Sequence, residues 1–198
     1  MGRVGGNGVS MKRVLYPVVL AFGLVTAVGC GSVGFKTGQQ WDVKEAPFFD
    51  DGVDMVQDLS SLSGQWGYKQ ENEFNGRLQL ADFVAEIDIL SVQTSTDLDG
   101  GMSKRIEISV VNTLYGDAPA KNIFVVSSKE ALGYELILRY EKHLKGSFFI
   151  FVRWFDEEDG SVGHHFHLSP VSDKLKPEVE QSVALRIRKE KEAEAAHR

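Results

Sequence analysis

A chain of 198 residues with 42% hydrophobic and 25% charged side chains is sized and composed for one globular domain plus a linker. Its formal charge of −6 speaks against a nucleic-acid binder, because phosphate contacts need an excess of basic side chains. A single cysteine, Cys30, excludes an intramolecular disulfide, so stability has to come from an ordinary core.

In chain order, the first organised stretch is Met11–Cys30, MKRVLYPVVLAFGLVTAVGC. Lys12 and Arg13 form a basic start, Val14–Val28 an apolar run, and small residues close it, which is the pattern of a secretory signal. The run is shorter than the ~20 residues a membrane-spanning helix needs. Residues 1–10 fit no part of a signal, so Met11 is the alternative start. The closing Ala27-Val28-Gly29-Cys30 resembles the lipobox of bacterial lipoproteins, with Ala in place of the preferred Leu. That resemblance implies a signal peptide over 1–29, cleavage before Cys30 and acylation of Cys30, whose chains hold the protein in the membrane. Several acyl chains at ~0.8 kcal/mol per CH₂ make a stable anchor. Gly31 in place of Asp after the cysteine points to the outer membrane. The alternative is an ordinary small residue at a conventional cleavage site.

Residues 30–40 are small and polar and read as a flexible tether from Cys30. Residues 41–76 carry Trp41, Phe48, Phe49, Met55, Leu59, Leu62 and Trp66 without a period of 2 or 3.6, an irregular aromatic arm expected to pack on the domain that follows. Regular patterning begins near Arg77. Phe83, Ala85, Ile87 and Ile89 alternate with Glu86 and Asp88, and Ile106, Ile108 and Val110 alternate with Arg105, Glu107 and Ser109, so two strands are expected around the loop Thr94–Gly101. Asn122–Ser127 is a third strand. Ser127 and Glu130 stand as in a capping box, Leu132, Leu136, Tyr140 and Leu144 recur every four residues, and Gly146 sits where a C′ glycine belongs. The spacing predicts a helix over about 127–145; the alternative is a strand at 134–140. Phe148–Phe155 is a central strand, Asp156–Gly160 a turn and Ser161–Leu168 a final strand. A charged helix follows over 171–198, with a thin stripe of Val179, Val183 and Ile187.

The order β-β-β-α-β-β over 77–170 resembles the OB-fold, a five-stranded, partly open Greek-key barrel. The resemblance implies a mainly β (α+β) fold, an OB-like barrel with one helix inserted between strands 3 and 4 and a charged C-terminal helix. It also implies a ligand face on strands 2 and 3, flanked by the loops after strands 1 and 4. Those loops carry Asp97, Asp99, Asp156, Glu157, Glu158 and Asp159, candidate contacts for a cationic or neutral partner. The segments ADFVAEIDIL, LYGDAP and FFIFV are also similar to small secreted β-domains such as the N-terminal domain of metalloproteinase inhibitors. The N-terminal cysteines of those inhibitors are absent, so the inhibitory activity is not carried over.

In HHFHL, His165 and His167 fall on one face of the last strand and could share a metal, but two imidazoles lack the third ligand a site requires. The bland alternative is a polar strand face. Asp156–Asp159 and the run Asp50-Asp51-Gly52-Val53-Asp54 do not alternate as a calcium loop does. No nucleophile elbow or phosphate loop is present. The expectation is a non-enzymatic envelope lipoprotein, without a cofactor, whose domain binds a protein or glycan partner and no nucleic acid. The alternative is a metal-binding protein or metal-dependent hydrolase using His165 and His167.

Overall fold

The computed structural model describes residues 37–96, 100–117 and 120–197. The signal segment, Cys30, most of the tether, Asp97 and Asp99 lie outside the described residues.

The elements are β1 (Gly52–Val53), α1 (Gly64–Leu80), β2 (Phe83–Thr96), β3 (Met102–Tyr115), β4 (Asn122–Ser128), α2 (Tyr134–Tyr140), β5 (Gly146–Asp156), β6 (Val162–Pro170) and α3 (Leu175–Ala196), with one short 3₁₀ turn before β1, one between β1 and α1 and one between α2 and β5. The strands form one six-stranded sheet in the order β1-β6-β5-β2-β3-β4. β1 runs parallel to β6; every other neighbour is antiparallel. The fold is α+β and mainly β, and the sheet curls into a half-barrel. Irregular register leaves Leu90, Val111 and Leu114 out of the β2–β3 ladder, and such bulges bend and twist the strands that carry them.

Each sheet face has its own core. On the inner face Phe83, Ala85, Ile87, Ile106, Ile108, Phe148, Ile150, Phe166 and Leu168 pack with Ile137 of α2. On the other face Val84, Phe149 and Phe151 lie under Phe74 and Leu78 of α1 and Leu175, Val179 and Val183 of α3. β5 is apolar on both sides because it feeds both cores; each fully buried Phe contributes ~1.5–3 kcal/mol by leaving water.

Several expectations are corrected. The sheet has six strands, not five, because the two residues of β1 add to the β6 edge. The segment read as an irregular arm ends in a 17-residue helix, α1. Its buried positions are Gln70, Phe74, Arg77 and Leu78, so half of its inner face is polar and no apolar stripe marks it. The helix between strands is shorter than its spacing suggested and starts after Gly133. Ser127 does not cap it: β4 runs on to Ser128, and the buried Ser127 hydroxyl has no hydrogen-bond partner. The stripe on α3 is a core element in its first half, with Leu175, Val179 and Val183 buried. Among the described residues no helix is long and apolar enough to cross a membrane.

Candidate functional site: a carboxylate–histidine interlock

Two motifs that form no site in isolation meet. Asp50–Asp54 contains β1, and HHFH lies on β6; Gly52 pairs with His167 and Val53 with Leu168. The backbone joins them first: the Asp51 N–H donates to the Phe166 carbonyl and the Asp54 N–H to the Leu168 carbonyl, each at 2.9 Å. Asp51 adopts φ 53°, the left-handed region that costs most residues energy but suits a short polar side chain. One Asp51 oxygen accepts the Phe166 N–H at 2.9 Å, and the other meets His165 Nδ1 at 2.7 Å.

The Asp50–Asp54 segment, a strap along the edge of β6, comes this close because glycine faces glycine. Gly133, just before α2, donates its N–H to the Asp50 carbonyl at 2.7 Å. A Cβ on Gly52 would lie 2.6 Å from the Gly133 Cα, and one on Gly133 would meet the Gly52 backbone closer still.

His167 is the centre of the arrangement. It is 2% exposed, with Nδ1 2.7 Å from Asp50 and Nε2 3.0 Å from Asp54. The same Asp54 oxygen accepts from the Ser169 hydroxyl at 2.8 Å and from Arg77 Nη1 at 3.0 Å. Its other oxygen accepts the Val56 N–H at 3.0 Å. Arg77, buried on α1, also donates through Nε to the Phe48 carbonyl at 3.0 Å, and Glu73 lies 3.8 Å from its Nη2. The polar inner face of α1 is therefore the back wall of this cluster.

Burial and the charge of Arg77 push the His167 pKa down, but the charge of Asp50 and the hydrogen bonds to Asp50 and Asp54 outweigh them and hold it above the ordinary value. Burial pushes the Asp50 and Asp54 carboxyls up, and His167 with Arg77 outweighs it, so both lie below the usual carboxylate range.

His165 shares the face but not the environment. Its ring stacks on Phe155 at 5.1 Å between centroids and meets Trp41 at 4.2 Å. His164 points to the other side, beside Trp154 at 5.4 Å, and burial lowers its pKa. Both His167 nitrogens are engaged by carboxylates on opposite sides of the ring, so His165 and His167 do not present a common metal face. Among the described residues no group of three or more His, Cys, Asp or Glu converges as a metal-ligating set.

Of the acidic residues expected to form one partner surface, Asp156, Glu157, Glu158 and Asp159 lie at the β5–β6 hairpin, and Asp97 and Asp99 lie outside the described residues. Asp156 accepts the Thr37 N–H at 2.9 Å and the Gly38 N–H at 3.0 Å, fixing the chain where it enters the domain. Glu157, Glu158 and Asp159 are exposed on the β5–β6 hairpin, where the Asp159 carboxylate accepts the Ser161 N–H at 2.8 Å. By register this hairpin lies beyond the Phe83 end of β2, whereas the loop of Asp97 and Asp99 leaves β2 at Thr96.

A different surface stands out. On the sheet face that α1 and α3 cover at β5, coverage ends near Glu86, which accepts from Lys176 Nζ of α3 at 2.8 Å. Farther along, Arg105 and Glu107 of β3 and Phe124 and Val126 of β4 form a bare patch. Phe124 is 45% and Val126 46% exposed, and the Arg105 guanidinium lies 3.8 Å over the Phe124 ring. In sequence, Phe124 and Val126 looked like ordinary strand residues.

Comparison with protein-family models, curated proteins and solved structures found no match in any of the three.

Proposed function

We propose that the protein is a non-enzymatic lipoprotein of the bacterial cell envelope, anchored through acyl chains on Cys30 at the outer membrane, with an OB-like domain that binds a protein or glycan partner. The anchor rests on the signal grammar ending at Gly29-Cys30. The OB-like reading rests on strand order: with β1 set aside, β6-β5-β2-β3-β4 is the order of an OB-barrel opened between its third and fifth strands.

The observation that carries the binding reading is the bare patch of Arg105, Phe124 and Val126 on the face OB-folds use for ligands. An exposed aromatic with a stacked guanidinium is suited to protein or sugar contacts. Two measurements test the proposal. Cys30→Ala should leave the membrane fraction or remain unprocessed; normal cutting with membrane retention refutes the anchor. Cross-linking in cell envelopes should capture a partner with the wild type and lose it with Phe124→Ser/Val126→Ser; equal capture by both refutes the face.

A further inference from the structure

We propose that His167 is a proton-operated latch holding the β1 strap on the edge of β6. The argument starts from donors and acceptors. Ionised Asp50 and Asp54 only accept hydrogen bonds, and His167 places Nδ1 on one and Nε2 on the other. Both contacts are hydrogen bonds only when both ring nitrogens carry a proton, that is, in the imidazolium. In either neutral tautomer one nitrogen lone pair of a ring that is 2% exposed faces a carboxylate oxygen across 2.7 or 3.0 Å.

The groups facing the ring are few. The strap brings Asp50, Asp54 and, toward His165, Asp51; α1 brings Arg77 and Glu73; β6 itself brings Ser169 and His165. α3 contributes the apolar Leu175 beside Asp54 and Arg77. With His167 charged, two cations meet the acids around them. Without its proton, Arg77 alone is left to balance Asp50, Asp54 and Glu73, and burial makes that imbalance costly.

β1 is only two residues long. Val53 is seated in one core, Phe49 in the other, and Gly133 holds the Asp50 carbonyl, but along the edge of β6 the hydrogen bonds from Asp51 to Phe166 and from Asp54 to Leu168 are reinforced by the side-chain clamp. Loosening the clamp frees the outer edge of β6, and a free strand edge accepts another extended segment. The sign follows from the raised His167 pKa. The clamp is at full strength below the unfolded histidine value of about 6.5 and is lost as pH rises through the folded value.

The test uses the full-length chain and ring-nitrogen NMR with amide hydrogen exchange. At pH 6 the His167 ring should show two protected N–H protons. As pH rises through its titration, the Asp51 and Asp54 amides should exchange at least ~10-fold faster after correction for intrinsic base catalysis, about 1.4 kcal/mol of local stability. The Asp82 amide, bonded to the Val152 carbonyl of β5 just before β2 begins, should not follow. His167→Gln should exchange fast at Asp51 and Asp54 at every pH, whereas His165→Gln should keep the jump. A neutral His167 at pH 6, Asp51 and Asp82 amides that move together, or a jump that survives in His167→Gln overturns the latch. If His167→Gln does not fold, the wild-type titration decides.

Discussion

The two ends of the sheet solve the problem of an edge in opposite ways. At the β6 end a two-residue strand is fastened over the edge by three aspartates, two histidines and an arginine, of which Asp51, Arg77 and His167 are buried. At the β4 end, among the described residues, the last strand pairs only with β3 and its outward side chains stay exposed. A clamp built from desolvated charges fixes one geometry, because each carboxylate is stabilised only while its partners hold position. A bare apolar strand pair commits to nothing and remains available for contact. One end is built to hold a part of the chain itself, the other is free to meet something else.

The comparison breaks most visibly at Asp54. Asp54→Ala strands the His167 and Arg77 charges in a buried site with one carboxylate fewer. The expected cost is about 3–5 kcal/mol, the range for removing one partner of a buried ion pair. Denaturant unfolding measures it, and a loss below about 1 kcal/mol would mean that the cluster is hydrated and the clamp weak. The pH profile offers a second view. Asp50 and Asp54, with lowered pKa values, stabilise above the ordinary carboxylate value near 4 and lose that contribution as pH falls through their folded values. His167 acts on the alkaline side, so stability should be greatest between about pH 4 and 6.5 and decline on both sides.

A smaller effect is expected where glycine meets glycine. Gly133→Ala puts a methyl into the Gly52 backbone, and neither main chain can retreat without breaking the bond from Gly133 to the Asp50 carbonyl. Overpacking of this kind costs about 1–3 kcal/mol. The loss should be accompanied by faster amide exchange at Asp51 and Asp54. Full stability with unchanged exchange would show that α2 does not brace the strap.

How much of this was legible in the sequence depends on distance along the chain. β2, β3 and β5 announced themselves because alternation is local: Phe83, Ala85 and Ile87 need only their neighbours to be read as one face. α1 hid because its inner positions include the polar Gln70 and Arg77, the second tied to Asp54, and these interrupt the hydrophobic pattern. Neither Asp50–Asp54 nor HHFH is a site alone. Their partnership spans 113–117 residues, and no periodicity or spacing rule reaches across that interval. The exposure of Phe124 was hidden for a related reason: it depends on where α1 and α3 stop covering the sheet.

The smallest effect on stability is expected at the β4 end, and there the comparison is sharpest. Phe124→Ser removes a half-exposed ring and its contact with Arg105, a cation–π interaction worth about 0.5–1 kcal/mol at exposed sites. Val126→Ser adds a change of the size usual for surface positions, about 0.5 kcal/mol. Phe149→Ala, on the same sheet face but covered by the helices, should cost about 3–5 kcal/mol by leaving a cavity. The contrast separates a residue kept for the fold from one kept for contact. If Phe124→Ser proves as damaging as Phe149→Ala, then Phe124 belongs to the core through a contact made by residues outside those described, and the β4 end is a covered edge like the other. If its stability is spared while capture of an envelope partner is lost, the bare strands earn their exposure through binding, because nothing in the folding of the domain requires it.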